Sequence, residues 1–226
     1  MLFRSERNKV IEVTLDLAGN MNLIVRKCFP KATIVIDRFH VQQLATEALQ
    51  EIRIKHRWEA LDQENDAIEK AKTYKQIVIP EVLPNGDTLK QLLARSRYLL
   101  YKSEQNWTQQ QADRAAILFE RFPDIKLAYE LTQSLSRIYT STTEKIYAYT
   151  RLAKWHEKVE KAGFKAFNTI SKTIMNHYRK ILNYFDNRST NASAESFNAK
   201  IKAFRQQYRG VSDVNFFLFR LSKLYA

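Results

Sequence analysis

Three acidic side chains stand where a chain can do chemistry. Asp16 closes the stretch KVIEVTLD (9–16), a β-branched alternation that reads as a strand, and so opens a strand-to-helix turn. Open α/β sheets bind ligands outside the carboxyl ends of their strands, which makes an acid there a candidate ligand contact. The same place is also a helix N-cap, where a carboxylate accepts backbone N–H groups that would otherwise lack a partner. Asp37 ends the apolar run ATIVID (32–37) and carries the same two readings, with Arg38 and His40 beside it. Glu195 falls in the first turn of the last long helical pattern, one turn before Asn198 and about two turns before Lys202. Its alternative reading is electrostatic, since negative charge is favourable near a helix N-terminus. Asp16 and Glu195 lie near opposite ends of the chain, and spacing alone does not bring them together.

Other chemistries find less support. His40, His56, His156 and His177 are scattered, no two in a metal-ligand context, and each reads as a structural residue. Cys28 is the single cysteine, which excludes an internal disulfide framework and a multi-cysteine zinc site and fits a reducing cytoplasm. Trp58, Trp107 and Trp155 could stack on bases, but core packing is the stronger expectation.

The elements that must position these residues follow from composition and periodicity. Glycine and proline number four each in 226 residues, where average usage would give roughly 27 together. So few turn residues exclude a many-stranded sandwich or barrel and leave a mostly helical chain. Between the two strands, LAGNMNLIVRKCFPK (17–31) reads as a helix closed by Pro30. Strand, helix and strand within about 30 residues form a βαβ unit with parallel strands. No convincing third strand follows, and two parallel strands alone do not make a domain.

From Arg38 to about Phe185 the pattern is helical. A first helix runs from about Phe39 towards residue 75 with Leu44, Ala48 and Ile52 on one face. A loop at 79–88 ends on Asp87 or Thr88 as the next cap. Capping boxes are expected at Thr108-x-x-Gln111 and Ser141-x-x-Glu144. Pro123 divides two helices, the second with Ala128, Leu131, Leu135 and Ile138 in register. A later helix carries Phe167, Ile170, Ile174, Tyr178, Ile181 and Phe185. After a small polar run at 187–193, Ala194, Phe197, Ile201, Phe204 and Tyr208 make a narrow apolar stripe, flanked by Glu195, Asn198, Lys202 and Arg205. The expected organisation is a small sheet part at 1–40, a helical insertion at 41–186 and a final helix with a basic segment at 187–226.

The formal net charge is +13 and the isoelectric point is about 9.7. An excess of this size favours a polyanionic partner, nucleic acid before an anionic membrane surface. The longest apolar runs, TIVI and FFLF, are far too short to span a bilayer, and the first ten residues hold no apolar run fit for a signal sequence.

Two blocks in order, VTLDLAGNMNLIVRKCFPKATIVIDRFHV (13–41) and NRSTNASAESFNAKIKAFRQQYRG (187–210), with a helix-rich middle between them, resemble the catalytic domain of bacterial insertion-sequence transposases. The nearest pattern is that of the ISL-type family, with "D…FP.A..V.DRFHV" and "N…E..N..IK". The resemblance implies a partial ribonuclease H-like fold, predominantly α with a small parallel α/β part and a large all-helical insertion. It implies DDE chemistry, in which three carboxylates hold two Mg²⁺ ions that stabilise the attacking and leaving oxygens of a DNA phosphodiester. By motif, Asp16 is the second aspartate and Glu195 the glutamate, both metal ligands. Asp37, His40 and Asn198 are accessory, and Lys200, Lys202, Arg205 and Arg209 are phosphate contacts. The implied partners are DNA, as transposon ends and target, and further copies of the chain assembled on it.

The first aspartate of that pattern has no counterpart upstream of Asp16. The expectation is therefore a transposase truncated at its N-terminus, with a companion chain supplying the rest. The alternative is a catalytically inactive DNA-binding remnant or inhibitor. A third reading, a helical interaction module whose charge serves solubility only, predicts no response to duplex DNA.

Overall fold

The computed structural model describes residues 4–17, 19–207 and 213–225. In chain order the elements are α1 (Arg4–Arg7), β1 (Glu12–Leu15), α2 (Gly19–Cys28), β2 (Thr33–Ile36), α3 (Arg38–Thr73), α4 (Leu89–Arg95), α5 (Gln109–Arg121), α6 (Pro123–Ser141), α7 (Lys145–Ala162), α8 (Lys165–Leu182), α9 (Tyr184–Asn187), α10 (Ala192–Gln207) and α11 (Val214–Tyr225). The chain is mostly helical, with one small parallel sheet. It divides into two compact units, one made of residues 1–37 with 188–226 and the other of residues 38–187.

In the first unit, β1 and β2 pair in parallel from Glu12↔Thr33 to Leu15↔Ile36, and among the described residues they form a two-stranded sheet. The α2 crossover that parallel strands require buries Val25, while Leu15, Val35 and Ile36 are the buried residues of the strands. On α10, Phe204 is buried and meets Phe217 of α11 at a ring separation of 5.4 Å. Ile201 is half-buried, and the other members of the expected α10 stripe (Ala194, Phe197 and Tyr208) lie outside the described residues or side chains. Asp213 caps α11, its Oδ1 accepting the N–H groups of Asn215 at 2.8 Å and Phe216 at 3.1 Å.

The helical unit is built around α3, 36 residues long and therefore about 54 Å from end to end. Its buried stripe runs through Val41, Ala45, Ala48 and Leu49. The expected stripe was rotated from this: Leu44 and Ile52 are only half-buried, at the edge of a face that packs against α4, α6 and α8. Pro123 opens α6 at its first turn, where a missing N–H costs nothing. The α6 residues Ala128, Leu131, Leu135 and Ile138 are all buried. In α8, Phe167, Ile170, Ile174 and Ile181 are buried, whereas Tyr178 is half-buried and the helix stops at Leu182. Phe185 continues the core from the separate turn α9, stacked 5.7 Å from Tyr139.

Of the two capping boxes, the one at Thr108 forms: Thr108 Oγ1 accepts the Gln111 N–H at 3.3 Å, and Gln111 Oε1 accepts the Thr108 N–H at 3.2 Å. The one at Ser141 does not. Ser141 remains inside α6 and donates its hydroxyl to the Arg137 carbonyl at 2.7 Å, so Glu144 becomes the N-cap of α7. A Ser or Thr hydroxyl back-bonded to its own preceding turn cannot cap the next helix. Gly163 ends α7 in the left-handed region at φ 73°, where glycine carries no steric penalty. Trp107 and Trp155 direct their indole N–H groups to the carbonyls of Leu99 at 2.8 Å and Leu131 at 2.9 Å. Trp155 is buried in the core, whereas Trp58 is 59% exposed, against the expectation of core packing.

Candidate active site

Strand register determines what stands at the carboxyl end of the sheet. Leu15 pairs with Ile36, and the Asp37 N–H donates to the Leu15 carbonyl at 2.9 Å. Asp16 and Asp37 are thus each the first residue beyond adjacent parallel strands. Asp16 is half-buried, and Asp37 is wholly buried.

A buried carboxylate is costly unless hydrogen bonds replace its water. Asp37 Oδ2 accepts the backbone N–H of Asn191 at 2.8 Å, a partner 154 positions along the chain. Asn191 is the residue immediately before α10, so a strand-end carboxylate meets the N-terminus of this helix, where the backbone donors are open and negative charge is favourable. The sequence signal for this was partial. The polar run at 187–193 announced a helix start, but nothing local identified Asp37 as its acceptor.

Glu195 lies on α10 four residues beyond Asn191, about one helical turn. Its side chain lies outside the described residues, as does the whole of Arg209. Asn198, Lys200, Lys202 and Arg205 are exposed along the same helix. Asp16, Asp37 and the backbone of Glu195 therefore belong to one compact unit, along with the α10 cations.

His40 falls in the first turn of α3, in the helical unit; its Nδ1 is buried without a hydrogen-bond partner among the described residues. The other histidines have structural settings. His56 bridges Asp124 at 2.6 Å and Glu59 at 3.0 Å. His156 meets the Ser171 hydroxyl through Nδ1 and Glu160 through Nε2 at 3.4 Å. That arrangement copies the order of a hydrolytic triad, but Ser171 is buried and closed to substrate. Burial, with Lys180 nearby, holds His177 below the usual histidine range. Among the described residues no group of three or more His, Cys, Asp or Glu side chains could hold a metal ion, and no helix is long and apolar enough to cross a membrane.

Comparison with known proteins agrees over nearly the whole chain. It is 23% identical over 216 residues to the transposase for insertion sequence element IS1001 of Bordetella parapertussis, covering 94% of this chain and 47% of that one. It is 25% identical over 199 residues to the transposase for insertion sequence element IS1557 of Mycobacterium tuberculosis, covering 86% of this chain and 43% of the relative. The chain thus spans about half the length of the curated relatives it matches. No solved structure matches it. The family model DDE_Tnp_ISL3, described as a transposase, matches residues 2–221, and the chain belongs to this family of insertion-sequence transposases.

Proposed function

We propose that this chain carries two carboxylates, Asp16 and Glu195, of a DDE-type site that cleaves and joins DNA at insertion-sequence ends. The observation that carries the reading is the bond from Asn191 to Asp37. It fastens the start of the helix bearing Glu195 to the strand end next to Asp16. Asp37 is in this reading a positioning residue.

The donor set suits Mg²⁺, a hard cation usually held by one or two carboxylates with water and substrate phosphates completing the shell. Asp16 and Glu195 would hold it, and a third carboxylate would come from a segment outside residues 1–226. When bound, the metal supplies stabilisation of negative charge on the attacking and leaving oxygens. The chain's own contribution is to orient. Asp37 fixes the first turn of α10, and the exposed Lys200, Lys202 and Arg205 on that helix, with Arg209 beyond it, supply positive charge for the DNA backbone.

The fold implied is ribonuclease H-like, with residues 38–187 as its helical insertion. A two-stranded parallel sheet is smaller than such sheets usually are, and Ile11, Leu23 and Ile24 of the first unit are exposed. Both features suit a unit against which further strands of that fold would pack.

The test is cleavage of element-end DNA by a transposase of the relatives' full length containing this chain. Asp16→Asn and Glu195→Gln should each abolish Mg²⁺-dependent cleavage while leaving DNA binding intact. Full activity in the Glu195→Gln protein overturns the assignment. Salt-sensitive binding without cleavage under any metal condition, in the unsubstituted full-length protein, would instead favour a DNA-binding inhibitor.

A further inference from the structure

The helical unit places three guanidinium groups and three aromatic rings around one cavity of about 550 Å³ between α3 and the chain that follows α4. Arg53, Arg57 and Trp58 come from α3, and Arg97, Tyr98 and Tyr101 from the far side. This volume is within the range of ligand sites.

Arg53 is the informative member. Only 5% of it is exposed, and it is held at both ends of its guanidinium. Nη1 donates to the Leu93 carbonyl at 2.8 Å, and Nε donates to Gln50 Oε1 at 2.7 Å. Gln50, itself buried, also donates to the Arg97 carbonyl at 3.2 Å, so one amide sets the geometry of both walls. Several other cations of this unit face carboxylates: Arg95 and Arg114 at Asp87, Arg121 at Glu81, Lys90 at Glu64 and Lys145 at Asp186. Arg53, Arg57 and Arg97 have no carboxylate partner among the described residues. Burial, and then the charges of Arg57 and Arg97, press the Arg53 guanidinium below the usual arginine range. A buried cation beside two others is unfavourable in the free protein and is relieved by an anion.

The rings complete the chemistry. Trp58, Tyr98 and Tyr101 are 59%, 68% and 53% exposed, unusual for residues of this size. Clustered cations would suit any polyanion, but flat rings beside them suit one whose subunits also carry π-faces. In duplex DNA those faces are hidden in the stack, whereas unpaired nucleotides offer base and phosphate together. We infer that this cavity binds single-stranded DNA, with Arg53, Arg57 and Arg97 on phosphates and Trp58 and the two tyrosines stacking on bases. This site lies wholly within residues 38–187 and does not depend on the carboxylate assignment.

The experiment measures fluorescence anisotropy of a labelled oligothymidylate of about 12 nucleotides, within the usual site size for single strands, titrated with the full chain at several salt concentrations. The exposed positions are substituted, as Trp58→Ala and as Arg57→Gln with Arg97→Gln, and thermal melts verify the fold of each. Trp58→Ala should weaken binding about five- to a hundredfold, the span of losing one base stack. The double arginine variant should weaken it and flatten the slope of log affinity against log salt by ~1.4, or ~0.7 per lost phosphate contact. Tryptophan emission should be quenched on binding, and Trp58→Phe should remove that response. Glu195→Gln should leave this single-strand binding unchanged, so full cleavage activity in that variant breaks the carboxylate reading alone. The inference is overturned if both variants bind with unaltered affinity and slope. It is also overturned if a blunt duplex binds equally well without quenching, or if polyglutamate of equal charge gives the same affinity and quench, which would mark an acidic-peptide site.

Discussion

Within residues 38–187, large side chains are buried along several helices and charge is fastened in place: Asp87 alone takes the guanidinium groups of Arg95 and of Arg114, the latter at 2.9 Å. The unit made of residues 1–37 and 188–226 has four-residue strands, a ten-residue crossover helix and a buried carboxylate joining its two sequence segments. The first buries its core within one continuous stretch of chain, through residues such as Leu49, Leu135 and Phe167. The second is assembled from two segments far apart in sequence. The difference teaches where mutations should register: as lost stability in the helical unit, and as lost geometry near the carboxylates in the other.

The sharpest way to break that contrast is a pair of truncations. Phe167 is wholly buried on α8, and Phe167→Ala should cost about 3–5 kcal/mol in denaturant unfolding followed by tryptophan emission. All three tryptophans lie within residues 38–187, so the signal reports on that unit. Asp37→Ala strands the Asn191 N–H and should cost about 1–3 kcal/mol, read by hydrogen exchange at the start of α10. On the proposed carboxylate reading it should also lower metal affinity and end cleavage about 10- to 100-fold in the full-length transposase, the effect of losing a residue that orients a metal ligand. If Asp37→Ala unfolds the helical unit as severely as Phe167→Ala, the two regions are not distinct in this sense.

A smaller effect sharpens the account of the helices. Thr108→Ala removes a side-chain acceptor from the Gln111 N–H and should cost about 1 kcal/mol by the same unfolding assay, whereas Ser141→Ala should cost less, because Ser141 caps nothing.

The pH dependence gives a last distinction. Burial pushes the Asp87 carboxyl up, but hydrogen bonds from Arg114 and Arg95 outweigh this and hold it below the usual carboxylate range. A carboxyl whose folded pKa lies below its unfolded value of ~3.9 contributes its full stability above that value. The contribution is lost as pH falls through the folded pKa. Stability of the helical unit should therefore decline in that acid window, and Asp87→Asn should flatten this part of the profile while lowering stability at neutral pH.

Much of the architecture was legible because it is local. The βαβ unit followed from β-branched alternation around a short helical pattern, the break at Pro123 from its missing N–H, and the Thr108 box from a four-residue motif. What failed locally failed to a competing local bond, as at Ser141, or to tertiary packing, as where α3 buries Val41 and Ala45 more deeply than Leu44. The site was legible in part. Asp16 and Asp37 stand at adjacent strand ends as their positions implied, but the partner of Asp37 is invisible to any window of sequence. The arginine and aromatic cavity was missed for the same reason: Arg53, Arg57 and Trp58 are close in sequence, but Arg97, Tyr98 and Tyr101 join them only through the fold.

The contact between Asp37 and Asn191 also bears on the order in which the chain folds. Closing a flexible loop of some 150 residues costs about 4–5 kcal/mol in chain entropy before the bond contributes anything. The helical unit removes most of that cost when it forms first, because its two ends already meet: the Arg38 guanidinium lies 5.8 Å from the centre of the Tyr184 ring. Folded, it turns a long connection into a short one, and the two segments of the other unit behave as if nearly continuous. Pulse-labelled hydrogen exchange during refolding should accordingly show protection in α3, α6 and α8 before it appears at the start of α10.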